Sequence, residues 1–335
     1  MKHPSFKLIA AFLWMGIAFN ACNGADDQPI RRTQIIMGTL VEITVSHSDP
    51  DTIQAATTQA FDEMKRIEQL MSTYLPDSEI SRINRAAGKK AIPVSPEVEE
   101  VIREGIYWSE QSGGAFDITV EPLVQLWDFE GDNKIIPGEN TIRKTASLVN
   151  YKNIEIKDHT VRLQNRGMAI NVGGLAKGYA VDRAISILRG KVSNGIVNAG
   201  GDLFAFGQKN KKSSWNIGLQ HPRKPQGLLA AFAVKNQAVA TSGDYQRYFI
   251  KDGVRYHHIF DSQTGRPARL MISATVITTE VMDADALATA VFVMGPDKGI
   301  EWVDSMENVE AMLVLGDESI RYSKLFRKQP QFILK

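Results

Sequence analysis

The chain has 335 residues, with 39 Lys and Arg against 38 Asp and Glu for a formal net charge of +1. That balance gives no electrostatic case for nucleic acid, and no basic stripe or low-complexity tract alters it. The single cysteine, Cys22, excludes an internal disulfide and a cysteine-rich metal site.

Lys2, His3 and Lys7 precede an apolar run over 8–19, the charged and hydrophobic regions of an export signal. The run is shorter than the roughly 20 residues a spanning helix needs. Cys22 follows directly, and Phe19, Asn20 and Ala21 stand where a lipobox would, although leucine and a small residue are usual at the first two positions. This pattern predicts a signal peptide over 1–21 and a lipid anchor at Cys22, with a plain signal as the alternative. Residues 22–32 are polar and aperiodic, as a tether should be. The folded body is predicted over 33–335, long enough for one large domain with a substantial core.

Within the body, 38–45 alternates and is rich in β-branched residues, which predicts a half-buried strand. Over 52–71, Ile53, Ala56, Ala60, Met64, Ile67 and Met71 recur at spacings of three and four, the period of a helix that starts at Pro50-Asp51. A second helix is predicted over 96–112, with Ser95 as N-cap, Pro96 at its first position and Gly113-Gly114 past its end. A third covers 177–188. Short strands follow at 195–199, 203–206, 215–219, 229–234, 238–241, 245–250 and 273–278, then a helix at 283–294 and a strand at 309–315. Mixed strands with a few segregated helices predict an α+β fold: a single large mixed domain with an antiparallel-rich sheet and a few packed helices.

Several segments could carry chemistry. Gly173-Gly174 leads into a lysine-bearing helix start, where backbone amides and the helix dipole favour an anion, and Lys177 would sit one turn in; the same turn can be purely structural. Asp285 and Thr289 are four apart on one helix face, where a carboxylate and a hydroxyl can share a hard cation such as Mg²⁺ that takes further ligands from phosphates. Asp283 points elsewhere, and a plain reading makes it an N-cap and Asp285 a dipole partner. His257 and His258 are adjacent on a strand, so one at most faces a given pocket, where it could act as a base. Asp261 with Thr264 and Gly265 could make an Asx turn. Tyr74 could stack on a planar ligand or cover a helix end, and Asp117 could accept from a ligand or fasten its own turn. The segments 198–202 and 241–247 are strand-end loops typical of sites and of ordinary hairpins.

In order along the chain, Met37 to Thr39, Tyr74 with Asp77 and Glu79, Gly114 to Asp117, Gly173 to Asp182, Asn198 to Asp202, Ser242 to Tyr245, His258 to Gly265 and Asp283 to Thr289 resemble the motifs of the ApbE-type FAD:protein FMN transferases. The resemblance spans nearly the whole body. It implies a periplasmic, lipid-anchored, Mg²⁺-dependent enzyme on the outer side of the bacterial inner membrane. Such an enzyme moves FMN from FAD to a Thr or Ser hydroxyl of a target protein through a phosphoester and releases AMP. Flavoprotein subunits of Nqr- and Rnf-type redox pumps are the implied targets. By the same resemblance Met37, Tyr74, Ala115, Phe116, Asp117, Gly173, Gly174 and Lys177 bind FAD. The Ala176 carbonyl, Asp285 and Thr289 are implied to hold Mg²⁺, and His258 to lie near the reacting phosphate with Asp261 or Asp244 as a second base. Ala288 stands where some relatives carry another acidic residue, and Ser262 where proline is common. A Mg²⁺-dependent FAD pyrophosphatase and a non-catalytic flavin-binding lipoprotein are the alternative readings.

Overall fold

Eight strands that follow one another along the chain lie side by side in the same order, every neighbouring pair antiparallel. In this computed structural model they are β1 (Ile30–Ile36), β2 (Thr39–Ser46), β3 (Asn194–Ala199), β4 (Asp202–Phe206), β5 (Gln237–Gly243), β6 (Met271–Thr278), β7 (Glu310–Leu315) and β8 (Ile320–Tyr322). The structure describes residues 29–47, 49–129, 134–209, 214–224 and 226–335. The predicted signal peptide, Cys22 and most of the tether lie outside them. The α+β expectation holds, with the helices in the long connections between sheet strands.

Among the described residues there are eight α-helices. Between β2 and β3 run α1 (Pro50–Met71), α2 (Glu79–Arg85), α3 (Pro96–Gln111), α4 (Glu121–Trp127), α5 (Glu139–Ala146) and α6 (Ala176–Arg189); between β6 and β7 run α7 (Val281–Met294) and α8 (Pro296–Asp304). No helix among these residues is long and apolar enough to cross a membrane. Local signals account for the long helices. Ser95 Oγ accepts from the Val98 amide at 3.4 Å and Pro96 opens α3. Asp49 accepts from the Asp51 and Thr52 amides at the start of α1.

The sheet is buried on both faces, and alternation sorts its side chains. Phe204, Ala238, Ala240, Ala274 and Val276 join one core with α1, α6 and α7, while Leu203, Ala205, Val239 and Ile277 join a second core with Ile217, Phe232 and Phe326. The strands Trp215–Gln220 and Leu228–Val234 pair with each other to cover that second face. Two-faced burial explains why β4 is apolar throughout after Asp202. It also explains α7, which is buried nearly all round, as expected of a helix apolar on every side.

Among the shifts from the sequence-based boundaries, three bear on the site or its support. β1 begins at Ile30, so residues 30–32 of the expected tether belong to the sheet. Arg32 reaches Thr57 and Thr58 of α1 at 2.6 and 2.9 Å, and Arg31 pairs with Glu42. The strand expected over 245–250 starts only at Tyr248 and continues as a hairpin, Tyr248–Lys251 with Val254–His257. Its first residues are instead held in a turn, because the Asp244 carboxylate pairs with Arg223. The third predicted helix starts one residue earlier, which puts Lys177 in the first turn of α6.

The end of the sheet that carries the site follows from register. Val239 faces Leu203 and Gln237 faces Ala205, so Ser242 and Gly243 of β5 project past Asp202 at the β3–β4 turn. The β1–β2 turn lies at the same end: the Gly200 amide donates to the Leu40 carbonyl at 3.2 Å. Met37 and Gly38 make a two-residue connection with both φ angles positive, +54° and +70°, the conformation that suits a hairpin twist. Methionine there is strained relative to Asn or Gly, which marks the position as one held for a reason besides folding.

Candidate active site

The approach of α6 to α7 builds the site. A Cβ on Gly178 would lie 2.5 Å from the Val281 carbonyl oxygen and 2.6 Å from Met282 backbone atoms, so α6 touches the start of α7 backbone to backbone. One turn on, Asp182 accepts from the Val281 and Met282 amides at 3.0 and 2.9 Å, supplying the cap that Glu280, the N-cap residue, does not. Burial pushes the Asp182 carboxyl up to about 7, only partly offset by those two amides. The two residues, four apart on α6, fix the position of α7 and with it Asp285 and Thr289.

Gly178→Ala is therefore expected to destabilise the protein despite the better helix propensity of alanine. The propensity gain is about 1 kcal/mol, whereas forcing a methyl group against backbone costs typically about 1–3 kcal/mol and moves α7. Thermal unfolding checks this: a melting temperature equal to or above that of the parent would show the contact to be loose.

At the heart of the site Lys177 Nζ is 3.0 Å from Asp202 Oδ2, 3.1 Å from Asp285 Oδ2 and 3.0 Å from the Gly173 carbonyl oxygen. Asp202 and Asp285 are both buried, and Asp202 Oδ2 has no partner with hydrogen-bond geometry, its contact with Lys177 being an ion pair. Burial opposes the Lys177 charge, but the two carboxylates outweigh it and hold the ammonium above its ordinary value. Asp285 is pushed up to about 7, first by burial and then by Asp202, with Lys177 pulling the other way. Beside them Thr289 Oγ1 and Ser242 Oγ lie 3.0 Å apart.

The Gly173-Gly174 turn is positioned rather than loose. Asn171 Oδ1 accepts from the Gly173 amide at 2.7 Å, and Asn171 Nδ2 donates to buried Glu121 at 2.6 Å. Neither glycine has a positive φ. The need at Gly174 is space: a Cβ would sit 3.1 Å from the Phe116 ring and 3.7 Å from Thr289 Oγ1. This corrects the picture of free amides at a helix start. The Gly173 amide is taken by Asn171, and the Leu175 and Ala176 amides donate to the Val172 carbonyl. Positive charge in this corner comes from Lys177.

The remaining predicted residues fall around this centre in varying degree. Phe116 is buried against Gly174, and Ala115 adjoins it in the turn leaving α3. Ser262 donates to the Gly114 carbonyl at 2.7 Å, which ties the 261–265 turn to that segment. Tyr74 is exposed in the loop leaving α1, and its hydroxyl accepts from Arg247 at 3.0 Å; the Arg247 carbonyl accepts from the His258 amide at 3.1 Å. Met37 donates its amide to Glu68 at 2.8 Å.

Three carboxylates are engaged by the protein itself. Asp117 accepts from the Thr119 amide and hydroxyl at 2.8 and 2.6 Å and from the Tyr151 amide at 3.1 Å, and burial raises its pKa against these bonds. Asp261 accepts from the Gln263 amide at 2.9 Å and the Thr264 hydroxyl at 3.0 Å, the Asx-turn alternative. Asp244 makes a two-point pair with Arg223 at 2.7 and 2.6 Å. Asp283 is not the N-cap of α7 but lies in its first turn, away from Asp285, where it accepts from Trp108 Nε1 at 3.0 Å.

The two histidines separate cleanly. His257 donates through Nε2 to the Ala268 carbonyl at 2.6 Å and accepts the Ile259 amide on Nδ1 at 3.3 Å. His258 Nδ1 is buried without a hydrogen-bond partner. Burial, then the charge of Arg247, pushes His258 down to about 3, so its ring is neutral at pH 7 and a weak base in this state.

Asp202, Ser242, Asn171 and Glu121 were not singled out by sequence reasoning. Asp202 and Ser242 lie inside motifs that were noticed, but their partners Lys177 and Thr289 are distant in the chain and no spacing rule connects them.

Comparison with known proteins gives the family. The ApbE family model matches residues 37–313. A protein of Treponema pallidum named FAD:protein FMN transferase is 29% identical over 323 residues, covering 90% of this chain and 89% of its own. One of the same name from Klebsiella pneumoniae is 31% identical over 301 residues, covering 88% and 92%. The crystal structure of the ApbE protein from Thermotoga maritima superposes with a TM-score of 0.85 at 36% identity, covering 91% of this chain and all of that one. The span of the family match and the agreement in fold make the chain a member of the ApbE family.

Proposed function

We propose that this protein transfers FMN from FAD to a Thr or Ser hydroxyl of a target protein, forming a phosphoester and releasing AMP, with Mg²⁺ as its metal. The observation that carries the reading is the pair of buried carboxylates, Asp202 and Asp285, with the Thr289 hydroxyl beside them next to Gly174. The donor set fits the metal: all oxygen, two carboxylates, and one buried carboxylate oxygen lacking a hydrogen bond, in keeping with an ion that takes few protein ligands and completes its shell from water and phosphate. Asp285, Thr289 and the Ala176 carbonyl would hold it. Mg²⁺ bound there supplies positive charge to the pyrophosphate as the anhydride breaks.

The chain's own residues do the rest. Gly174 lets the Phe116 ring pack close to the turn, and Tyr74 offers an exposed aromatic face for the isoalloxazine or adenine ring. Lys177 brings a fixed positive charge to phosphate oxygens. His258 accepts the proton of the acceptor hydroxyl as its oxygen attacks the FMN phosphorus, and the bond from that phosphorus to the AMP oxygen breaks. Anionic phosphate near His258 offsets Arg247 and strengthens the imidazole as a base.

The expected result on co-expressing the protein with flavoprotein subunits of Nqr- or Rnf-type pumps is a fluorescent flavin band that survives denaturing electrophoresis. Steady AMP release from FAD and Mg²⁺ with no acceptor, and no such band, would assign the pyrophosphatase activity instead. On the same reading residues 1–21 direct export, and a lipid on Cys22 keeps the enzyme at the periplasmic side of the inner membrane. Cys22→Ala should then move it from the membrane to the soluble fraction, and continued membrane association would remove the anchor.

A further inference from the structure

Lys177 Nζ is surrounded by three oxygens at nearly equal distance: the Gly173 carbonyl at 3.0 Å, Asp202 Oδ2 at 3.0 Å and Asp285 Oδ2 at 3.1 Å. One carbonyl and two carboxylates converging on one point are the donors a hard divalent ion takes, and here an ammonium stands among them. The residues come from three separate segments: the turn before α6, the β3–β4 turn and the middle of α7. Their convergence is a property of the fold and not of one helix face.

Gly178 and Asp182 lock α6 to α7 close to this point, which fixes Asp285 relative to the helix that carries Lys177. Lys177 has the reach to leave, since its side chain is 28% exposed while those of Asp202 and Asp285 are 5% and 8% exposed. Two cations between the same buried carboxylates would repel strongly, whereas one cation at a time keeps both carboxylates compensated.

We propose that Lys177 Nζ, seated between Gly173, Asp202 and Asp285, and a metal ion held by Asp285, Thr289 and the Ala176 carbonyl compete for the Asp285 carboxylate, so that metal binding drives the lysine out toward the substrate phosphates. Asp202 thereby acquires a role: it is the second wall of the seat and balances whichever cation is present. The exchange couples two events, because a lysine released by the metal becomes available to the pyrophosphate, and a pyrophosphate that holds the lysine favours the metal. This inference rests on the metal reading above and adds the competition to it.

The test is a titration of the full-length protein with Mg²⁺ alone, followed by calorimetry, for the parent and for Lys177→Met, which keeps the stem and removes the charge. Removing the internal competitor should tighten Mg²⁺ binding by at least about tenfold. In the parent protein, Mg²⁺ should raise the modification of Lys177 by an amine-reactive reagent several-fold, read by mass spectrometry, with exposed Lys191 as the internal reference. Unchanged or weaker Mg²⁺ binding in a folded Lys177→Met, or Lys177 modification that Mg²⁺ leaves unchanged or lowers, overturns the exchange while the metal reading stands. Absence of Mg²⁺ binding in both proteins, with FMN transfer undiminished by a chelator, overturns the metal reading and the exchange together. Should Lys177→Met fail to fold by circular dichroism, the modification of the parent decides the matter.

Discussion

Asp285→Ala should abolish FMN transfer to a target peptide, a fall of at least about 10²–10³-fold of the kind seen when a group stabilising transition-state charge is removed, while the protein remains folded. The two halves of this expectation have separate grounds. The loss of activity follows from position: Asp285 is the carboxylate on α7 that faces Lys177, four residues from Thr289 and opposite Asp202. The survival of the fold follows from energetics. Burial and the neighbouring Asp202 push Asp285 up to about 7 against an ordinary value of 3.8, so the ionised form is held at a cost. Lys177, which would otherwise be left unpaired, retains Asp202 and the Gly173 carbonyl.

The sign of the pH effect is fixed by that direction of shift. A carboxyl whose folded pKa is raised favours the folded state most below its unfolded value, and that contribution is lost as pH rises toward the folded one. In the window from about 4 to 7 the Asp285→Ala protein should therefore lose less stability with rising pH than its parent. Thermal unfolding across that window and covalent flavin fluorescence at pH 7 check the two halves independently. Undiminished transfer by a folded variant would remove Asp285 from the metal assignment.

Much of this was legible in the sequence where the controlling physics is local. The Pro50 start of α1, the cap of α3, the run of small and apolar residues in α7 and the Gly173-to-Lys177 turn all announce themselves within a few residues. Short helices such as α4 and α5 do not, because their buried residues, Leu123, Trp127 and Ile142, take their partners from the distant Phe249 and Tyr256 hairpin. The same distinction divides the site. Asp285 and Thr289 share a helix face and were found by spacing. Asp202 meets them only because eight strands stack in chain order and bring the β3–β4 turn alongside β5 and α7. Gly173-Gly174 is expected from sequence to turn backbone amides toward an anion, whereas Gly174, and Gly178 which sequence does not single out, are required by close approach to Phe116 and to the α7 backbone, and no sequence pattern distinguishes these causes.

His258 and His257, adjacent on one strand and told apart in the sequence only by family resemblance, are expected to respond oppositely to the same substitution. In His257→Asn two hydrogen bonds, to the Ala268 carbonyl and from the Ile259 amide, and an edge contact with the Phe292 ring at 5.4 Å are disturbed in a buried setting. The expected cost is about 1–3 kcal/mol of stability, with transfer by the remaining folded protein largely intact. His258→Asn removes a ring nitrogen that has no partner to lose and so should leave the thermal midpoint near pH 7 little changed. Transfer should fall by about 10²–10⁴-fold, the usual contribution of a positioned base, with FAD binding retained. Burial and the Arg247 charge depress His258 from its ordinary 6.5 to about 3. The unfolded chain therefore takes up a proton that the folded one refuses, and stability is lost as pH falls from about 6.5 toward 3. That acid-side decline should be shallower in His258→Asn than in the parent, a readout independent of catalysis. An unchanged transfer rate in His258→Asn, together with a shallower acid-side decline, would leave His258 as a buried neutral ring and return the role of base to Asp261 or Asp244, each of which would first have to leave the partners that now hold it.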